Sequence, residues 1–177
     1  MENQVLETLR SRRSCRSYEK RMPDPEALEA VVNAGLWAPT GMGRQSTTIV
    51  VVQDPETVKK LSAMNAAVMG SDNDPFYGAP CVAVVLADAT ASTWVEDGSL
   101  TMGNMLNAAE SVGLSACWIH RAKEMFDTQE GKALLKEWGI PNAENLRGVG
   151  NCILGYAAPD GKKPAAPRKE NRVFYVK

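Results

Sequence analysis

The residues best suited to chemistry form a basic cluster near the start of the chain, Arg12-Arg13-Ser14-Cys15-Arg16-Ser17-Tyr18. An arginine guanidinium stays protonated and presents a planar fork of donors that can bind two phosphate oxygens at once. A serine hydroxyl in the same cluster adds one more donor. The cluster predicts a binding site for one phosphate monoester. The alternative is a solvated helix face that binds no ligand. A second basic pair, Arg168-Lys169, follows a proline-rich stretch.

A second candidate for function is the loop Ala38-Pro39-Thr40-Gly41-Met42-Gly43-Arg44-Gln45-Ser46. It joins a predicted helix to a predicted strand, and it mixes turn residues with hydrogen-bond donors and acceptors. Loops on a rigid scaffold often carry binding sites. On local evidence alone, the segment could equally be an ordinary connection with glycines at positive φ.

Other kinds of chemistry find less support in the sequence. One histidine and four cysteines without a C-x-x-C pair argue against a zinc or iron–sulfur site. There is no P-loop, and no G-x-G-x-x-G opens a helix after a strand. His120 could act as a base, but no G-x-S-x-G elbow accompanies it, which favours a polar rim residue. Cys15 has basic neighbours that could activate it, although a cysteine nucleophile is not favoured.

Length and composition indicate one domain spanning residues 1–177. With 177 residues and 44% hydrophobic content, the chain can bury a real core. Its 20 basic and 21 acidic residues nearly cancel, so bulk charge gives no attraction for nucleic acid or an anionic membrane. No apolar run reaches the ~20 residues of a membrane span, and the start lacks a signal-peptide pattern. We therefore expect a cytoplasmic protein.

Helices and strands alternate along the predicted chain. Asp24-Pro25 and Asp54-Pro55 each place an N-cap acceptor before a proline at the first helical position, and apolar residues at helical spacing follow both pairs. Further helices are predicted over residues 5–12, 97–112 and 127–138, the last with Glu130 in a capping box. Strands are predicted over residues 48–53, with both faces covered, and over 81–87, 114–119 and 149–156.

The end of the sequence has a different character. Residues 159–167 predict a linker-like arm that cannot build a core. Phe174-Tyr175-Val176 is strand-like and apolar. An apolar end beyond a flexible arm suggests that it docks on something, such as a partner subunit.

Five segments, in order along the whole chain, resemble the FMN-dependent nitroreductase family. The basic start follows the pattern R-R-S-x-R-x-[FY], and the loop follows A-P-[ST]-G-x-x-x-Q. Residues 79–87, residues 108–119 and the ending L-G-Y…P-R-K are also similar to the family. The resemblance implies an α+β fold with a central, mostly antiparallel sheet flanked by helices. It also implies a homodimer in which residues 159–177 reach the partner and add a strand to its sheet.

The same resemblance implies two FMN sites at the dimer interface, each built from both subunits. It assigns roles by position, in groups that differ in the part of FMN they face. These are Arg12, Arg13, Ser14 and Arg16 for the phosphate, ribityl chain and flavin edge; Arg168 and Lys169 for a second phosphate clamp; Pro39, Thr40, Gly41 and Gln45 for a loop from the partner; Trp118 and Ile119 for a strand end beside flavin N5; and Asn65 for the pyrimidine edge.

The implied activity is transfer of hydride from NADH or NADPH to flavin N5 and then to a small acceptor such as a nitroaromatic or quinone. The flavin carries this ping-pong chemistry, so no catalytic side chain is required. Arg16 is the candidate for stabilising negative charge at flavin N1 and O2, and Arg12 or Arg13 could take its place. Two departures from the family pattern, Gly43 in place of Asn and Ser46-Thr47 in place of Pro-Trp, prevent any transfer of substrate preference.

Three alternatives remain at this point. The first is a specialised flavin enzyme for dehalogenation, dehydrogenation or flavin destruction. Such an enzyme usually carries a lid insertion over the flavin, whereas the segment between the second predicted strand and the helix after it, residues 88–96, is short. A flavin-storage protein without turnover would use the same basic clusters. An interaction module without a cofactor would leave the arginines as solvated surface charge.

Overall fold

Four antiparallel strands form one sheet in the order β1-β2-β4-β3. The computed structural model describes residues 1–177. The strands are β1 Thr47–Val52, β2 Cys81–Asp88, β3 Ser115–Ile119 and β4 Leu146–Gly155. The helices are α1 Gln4–Ser11, α2 Pro25–Leu36, α3 Pro55–Met69, α4 Trp94–Ser111, α5 Ala122–Asp127 and α6 Gln129–Glu137. The predicted α+β class, with an antiparallel sheet flanked by helices, is confirmed.

Helices cover both faces of the central strands. Alternate residues of a strand point to opposite faces, and in β2 Val84 and Leu86 pack with α3, α5 and α6, whereas Val85 packs with α2 and α4. The first seven residues of β2 are therefore buried. Full burial of such an aliphatic side chain contributes roughly 1.5–3 kcal/mol, so these two layers form a core that fixes the sheet and the segments attached to it.

The first strand is less covered than its sequence predicts. β1 lies at the edge of the sheet and pairs only with β2. Five of its six residues are half-buried, and Val52 alone is buried. The prediction of a strand with both faces covered is wrong for a single chain, because the helical layers only partly reach this edge.

The helix predicted over residues 127–138 is confirmed as α6, but its capping box is wrong, because α5 extends to Asp127 and Thr128 is the N-cap. The Thr128 hydroxyl donates to the Met125 carbonyl of α5 at 2.7 Å and accepts from the Gly131 amide of α6 at 2.9 Å. Thr128 therefore caps α6. Glu130 falls one position short of the place that a capping box requires.

The tail forms no strand within one chain. Residues 172–177 have no regular structure, and Phe174 and Tyr175 are 79% and 85% exposed. The expectation that this segment pairs with a partner stays a prediction.

The double role of Thr128 predicts a measurable effect on stability. Thr128→Ala removes the N-cap acceptor of α6, and loss of such a cap typically costs about 1 kcal/mol. We expect the free energy of unfolding, measured by urea titration, to fall by about that amount. Thr128→Ser keeps the hydroxyl and serves as the matched control. An equal loss in both variants would contradict the capping role.

Candidate functional site

The two basic clusters of the sequence line one cavity of about 760 Å³. Half of its 12 lining residues are basic and none is acidic. The basic residues are Arg10, Arg12, Arg13, Arg16, Lys163 and Arg168. The cavity therefore gathers positive charge from segments about 150 residues apart, which suits an anion such as a phosphate.

The cavity exists because an extended strip, residues 14–18, lies beside β3. Ser14 forms a parallel bridge with Ala116 of β3, and the Cys15 amide donates to the Ala116 carbonyl at 3.1 Å. On its other side the strip meets the chain that follows β4, where the Arg16 amide donates to the Gly161 carbonyl at 2.8 Å. Backbone pairing thus sets the arginines next to the arm.

Further contacts fix the start of the arm. The Ala158 amide donates to the Ser17 carbonyl at 3.0 Å, and Lys162 forms an ion pair with Glu110 of α4 at 2.7 Å. At Gly161 a Cβ atom would lie 2.5 Å from the Ser17 carbonyl oxygen and 2.8 Å from the Cys15 sulfur. Only glycine allows the arm this close to the strip.

The basic side chains of the cavity are not equally free. Arg10 is paired with Glu2 at 2.9 Å. Arg13 donates to the carbonyls of Arg10 and Arg12 at 2.6 and 2.7 Å, so its guanidinium partly caps the end of α1. Arg12, Arg16 and Lys163 donate no side-chain hydrogen bond within the chain, which leaves their donors available to an anion.

Sequence reasoning selected four of the six basic residues of this cavity and missed Arg10 and Lys163. The structure brings Arg12, Arg13, Ser14 and Arg16 together with Arg168, as expected if both basic clusters of the sequence bind one phosphate. Lys169 does not line the cavity, whereas Lys163 does. The two neighbouring lysines of the arm were the available signal, but which one faces the cavity depends on the path of the arm after Gly161.

The end of β3 borders the same strip. Because the Ala116 carbonyl faces Cys15, the peptide groups of Trp118, two residues on, point to that same edge of the strand. The Trp118 indole packs against Gly150, where a Cβ would lie 2.4 Å from the indole nitrogen, and that nitrogen has no hydrogen-bond partner. Ile119 is buried and pairs with Asn151 of β4.

Asn65 supports the chain just beyond β3. It is fully buried on α3, and its amide nitrogen donates to the His120 carbonyl at 2.7 Å and contacts the Met125 sulfur at 3.2 Å. Its carbonyl oxygen has no partner. Asn65 thus holds the backbone beside the strand end, and its direct contact with a ligand stays a prediction.

The candidate nucleophile and base are not arranged for acid–base or thiol chemistry. Cys15 is fully buried and its thiol donates to the Ser17 carbonyl at 3.1 Å. Burial raises the pKa of the Cys81 thiol to about 12 and also raises the pKa of Cys117. His120 is exposed and its side chain makes no hydrogen bond. No Ser-His-Asp arrangement is formed.

The 38–46 loop lies apart from the arginine cavity, and none of its residues line it. The Thr40 hydroxyl accepts from the Gln45 amide at 2.9 Å, and Met42 and Gln45 both have positive φ, at 54° and 50°. Met42 is 78% exposed. Thr40, Gly41 and Gln45 are therefore grouped on one turn, with Pro39 directly before it, away from the arginines of the same chain.

One residue missed by sequence reasoning, Asp97 of α4, anchors this loop. Its carboxylate accepts hydrogen bonds from the Gly41 amide at 2.8 Å, the Ser46 hydroxyl at 2.6 Å and the Thr93 hydroxyl at 3.2 Å. Burial raises the pKa of Asp97, but these hydrogen bonds and the charge of Arg44 outweigh it, so the pKa lies below its ordinary value. The sequence signal that could have identified Asp97 was an acidic residue on the buried face of a helix.

Two of the departures noted in the sequence take part in this arrangement. Ser46 supplies a hydroxyl to Asp97. The Thr101 hydroxyl of α4 approaches the Thr47 hydroxyl at 3.4 Å. Hydrogen bonds to α4 thus stand where the family pattern has Pro-Trp.

A second cavity, of about 780 Å³, lies between α3 and residues 71–80. It contains none of the predicted site residues, and its lining has lysines and aspartates in equal number. The arginine cavity is the better candidate because it combines excess charge with residues from both ends of the chain.

The fold is α+β and the arginine cavity is basic, and comparison with known proteins identifies the family. A profile described as the Nitroreductase family matches residues 9–156, which is most of the chain. The chain belongs to the Nitroreductase family.

Individual relatives agree with this assignment. A protein of Archaeoglobus fulgidus named NADH dehydrogenase/NAD(P)H nitroreductase is 31% identical over 159 residues, covering 86% of this chain and 85% of that protein. A protein of the same name from Methanothermobacter thermautotrophicus is 29% identical over 119 residues, which are 64% of this chain and 59% of the relative's length. The crystal structure of a Bacteroides fragilis nitroreductase with bound FMN has a TM-score of 0.90 at 28% identity, covering 99% of this chain and 100% of that one.

Proposed function

We propose that this protein is an FMN-dependent oxidoreductase that passes hydride from NADH or NADPH to a small electron acceptor such as a nitroaromatic or quinone. The observation that carries the proposal is the acid-free arginine cavity formed by both ends of the chain. Family membership, the NAD(P)H nitroreductase names of two relatives and the FMN bound in the Bacteroides fragilis structure support it.

The residues present fit the phosphate end of FMN. A phosphate monoester carries nearly two negative charges and three acceptor oxygens at neutral pH. Arg12 and Lys163 have donors that no group of the chain uses, and Arg168 faces them from the arm. Arginine forks bind phosphate oxygens in pairs, so the cavity can hold the phosphate without help from a metal ion.

The remaining residues would orient the flavin ring and tune its charge. FMN, when bound, supplies hydride transfer at N5. Ser14 pairs in parallel with Ala116, and the same register places Arg16 beside Trp118. The positive charge of Arg16 therefore lies near the peptide groups on the open edge of the strand end. We assign Arg16 to the N1 and O2 edge, where it favours negative charge on the ring. The absence of a paired histidine or accessible thiol matches chemistry that needs no side-chain acid or base.

A homodimer completes this proposal. The 38–46 loop of one protomer contributes Pro39, Thr40, Gly41 and Gln45 to the FMN site of its partner, because in its own chain it lies away from the arginines. The open edge of β1 and the exposed tail around Phe174 are suited to pair across the dimer. No helix is both long and apolar enough to cross a membrane.

The direct test of this function is the visible spectrum of the purified protein with FMN. We expect a bound-flavin spectrum that bleaches anaerobically when NADH or NADPH is added, and that returns when a quinone or nitroaromatic is supplied. Comparison of the two nucleotides identifies the donor. Bound flavin that neither nucleotide reduces would favour storage without turnover, and no flavin binding would overturn the proposal.

The arginine cavity predicts which substitutions weaken FMN binding. Arg12→Ala and Arg168→Ala each remove a charge-assisted hydrogen bond of roughly 1.5–3 kcal/mol, so Kd should rise roughly 10- to 100-fold in a fluorescence titration. Arg10→Ala is the matched control, since Arg10 lines the same cavity but is already paired with Glu2. Its Kd should change less than about threefold. Equal losses in all three variants would indicate a general charge effect instead of a phosphate clamp.

Arg16 has a separate predicted effect on redox behaviour. Arg16→Ala should weaken FMN retention and lower the midpoint potential of bound FMN, on the order of 30 mV or about 1.4 kcal/mol for a two-electron couple. The physical reason is the loss of positive charge beside a ring that becomes more negative on reduction. Arg168→Ala, which acts at the phosphate, should leave the potential near its original value. An unchanged affinity and potential in Arg16→Ala would remove this role.

A further inference from the structure

We propose that Asp97 is a positioning residue, which holds the 38–46 loop in the shape that contacts the FMN of the partner protomer. The inference rests on the proposed function and deepens it. Asp97 is 2% exposed, so it acts through the loop and not by touching a ligand. Its role follows from which atoms of the loop it binds.

One carboxylate ties both ends of the turn together. Oδ1 accepts from the Gly41 amide at 2.8 Å, at the start of the turn, and Oδ2 accepts from the Ser46 hydroxyl at 2.6 Å, at its end. Thr93, the residue before α4, donates to the same Oδ2 at 3.2 Å. Asp97 therefore cross-links the loop to the first turn of a helix that the core holds in place.

The turn between these two anchors needs such support. Met42 and Gln45 adopt left-handed backbone conformations, which are strained for residues with a side chain and persist only where the surroundings enforce them. Inside the turn, the only side-chain hydrogen bond is the one from the Gln45 amide to Thr40. Two backbone bonds also close the turn, from the Gly43 amide to the Thr40 carbonyl at 3.0 Å and from the Arg44 amide to the Gly41 carbonyl at 3.2 Å. The bonds to Asp97 are the ones that join this closed turn to α4.

The position of Gly41 shows how closely the loop is held. A Cβ atom at Gly41 would lie 2.2 Å from the Thr93 hydroxyl oxygen. The backbone of the loop thus packs directly on the start of α4, where its amide can reach the Asp97 carboxylate. Gly41 and the neighbouring Thr40 and Gln45 are the residues assigned to the partner's FMN, so their placement depends on this contact.

The charge on Asp97 is compatible with its burial. No lysine or arginine contacts the carboxylate, and Arg44 on the loop is the charged group that acts on it. Neutral donors and the positive end of α4 stabilise the anion in place of an ion pair. The anchor therefore remains ionised at neutral pH and does not compete with FMN for the arginines of the cavity.

The first test compares Asp97→Asn and Ser46→Ala with the control Asp54→Asn. Asp54 also accepts from one backbone amide and one hydroxyl, both of Thr57, but at the start of α3. In the apoprotein, we expect amide hydrogen exchange at residues 41–45 to accelerate at least about tenfold in Asp97→Asn and less in Ser46→Ala, with the sheet amides unchanged. FMN Kd should rise by a similar factor, and the visible circular dichroism of saturated FMN should change. Asp54→Asn should show none of these effects.

Each outcome of this test decides the proposal. Faster exchange in the loop with unchanged FMN affinity and dichroism would overturn the positioning role. If Asp97→Asn does not fold, Ser46→Ala decides the test. Unchanged amide exchange in the loop and an unchanged FMN Kd in that variant would overturn the positioning role. If the unaltered protein binds no FMN, the proposed function itself has failed.

A mixed dimer tests whether the loop acts on the partner's site. One protomer carries Arg12→Ala and the other carries Asp97→Asn, with different purification tags. If the loop serves the partner, one site combines both defects and the other has none, so half of the sites should bind FMN with the original affinity. If the loop served its own chain, every site would carry one defect. The proposal would then be contradicted, because no site would bind FMN with the original affinity.

Discussion

The site depends on one interaction, the backbone pairing of residues 14–18 with β3 on one side and with the start of the arm on the other. These hydrogen bonds are made by main-chain groups, so they hold regardless of the charges nearby. They are needed because the cavity gathers six basic side chains that repel one another. Tyr18 reinforces the strip by donating from its buried hydroxyl to the Cys15 carbonyl at 3.1 Å, and burial raises the pKa of that hydroxyl, which keeps it a neutral donor.

Helix α4 connects this strip to the rest of the proposed site. Near its end, Glu110 pairs with Lys162 and fixes the start of the arm. Near its beginning, Asp97 binds the 38–46 loop. A single helix therefore fixes both the start of the arm beside its own arginine cavity and the turn that we assign to the partner's FMN. In the proposed homodimer, the two halves of each site would be positioned by two copies of this same helix.

Local sequence signals predicted much of this architecture, because the interactions behind them are local. The Asp-Pro pairs mark the starts of α2 and α3 correctly, and the apolar runs locate all four strands to within a few residues. The start of α6 was not predicted as closely, because the short α5 extends to Asp127 and leaves Thr128 as the N-cap. The contribution of Lys163, the burial of Asn65 and the anchor at Asp97 each depend on contacts between distant segments. The spacing of these three residues in the sequence does not reveal those contacts.

The core is complete without a cofactor, since both apolar layers of the sheet are filled by side chains of the chain itself. The cavity lies outside these layers, between the strip and residues 163–168, which have no regular structure. This wall begins just after the Lys162–Glu110 ion pair and contributes no strand to the sheet. The residues that hold the sheet together are thus different from those that line the cavity. A substitution in the cavity wall can therefore alter binding and leave the packing of the core intact.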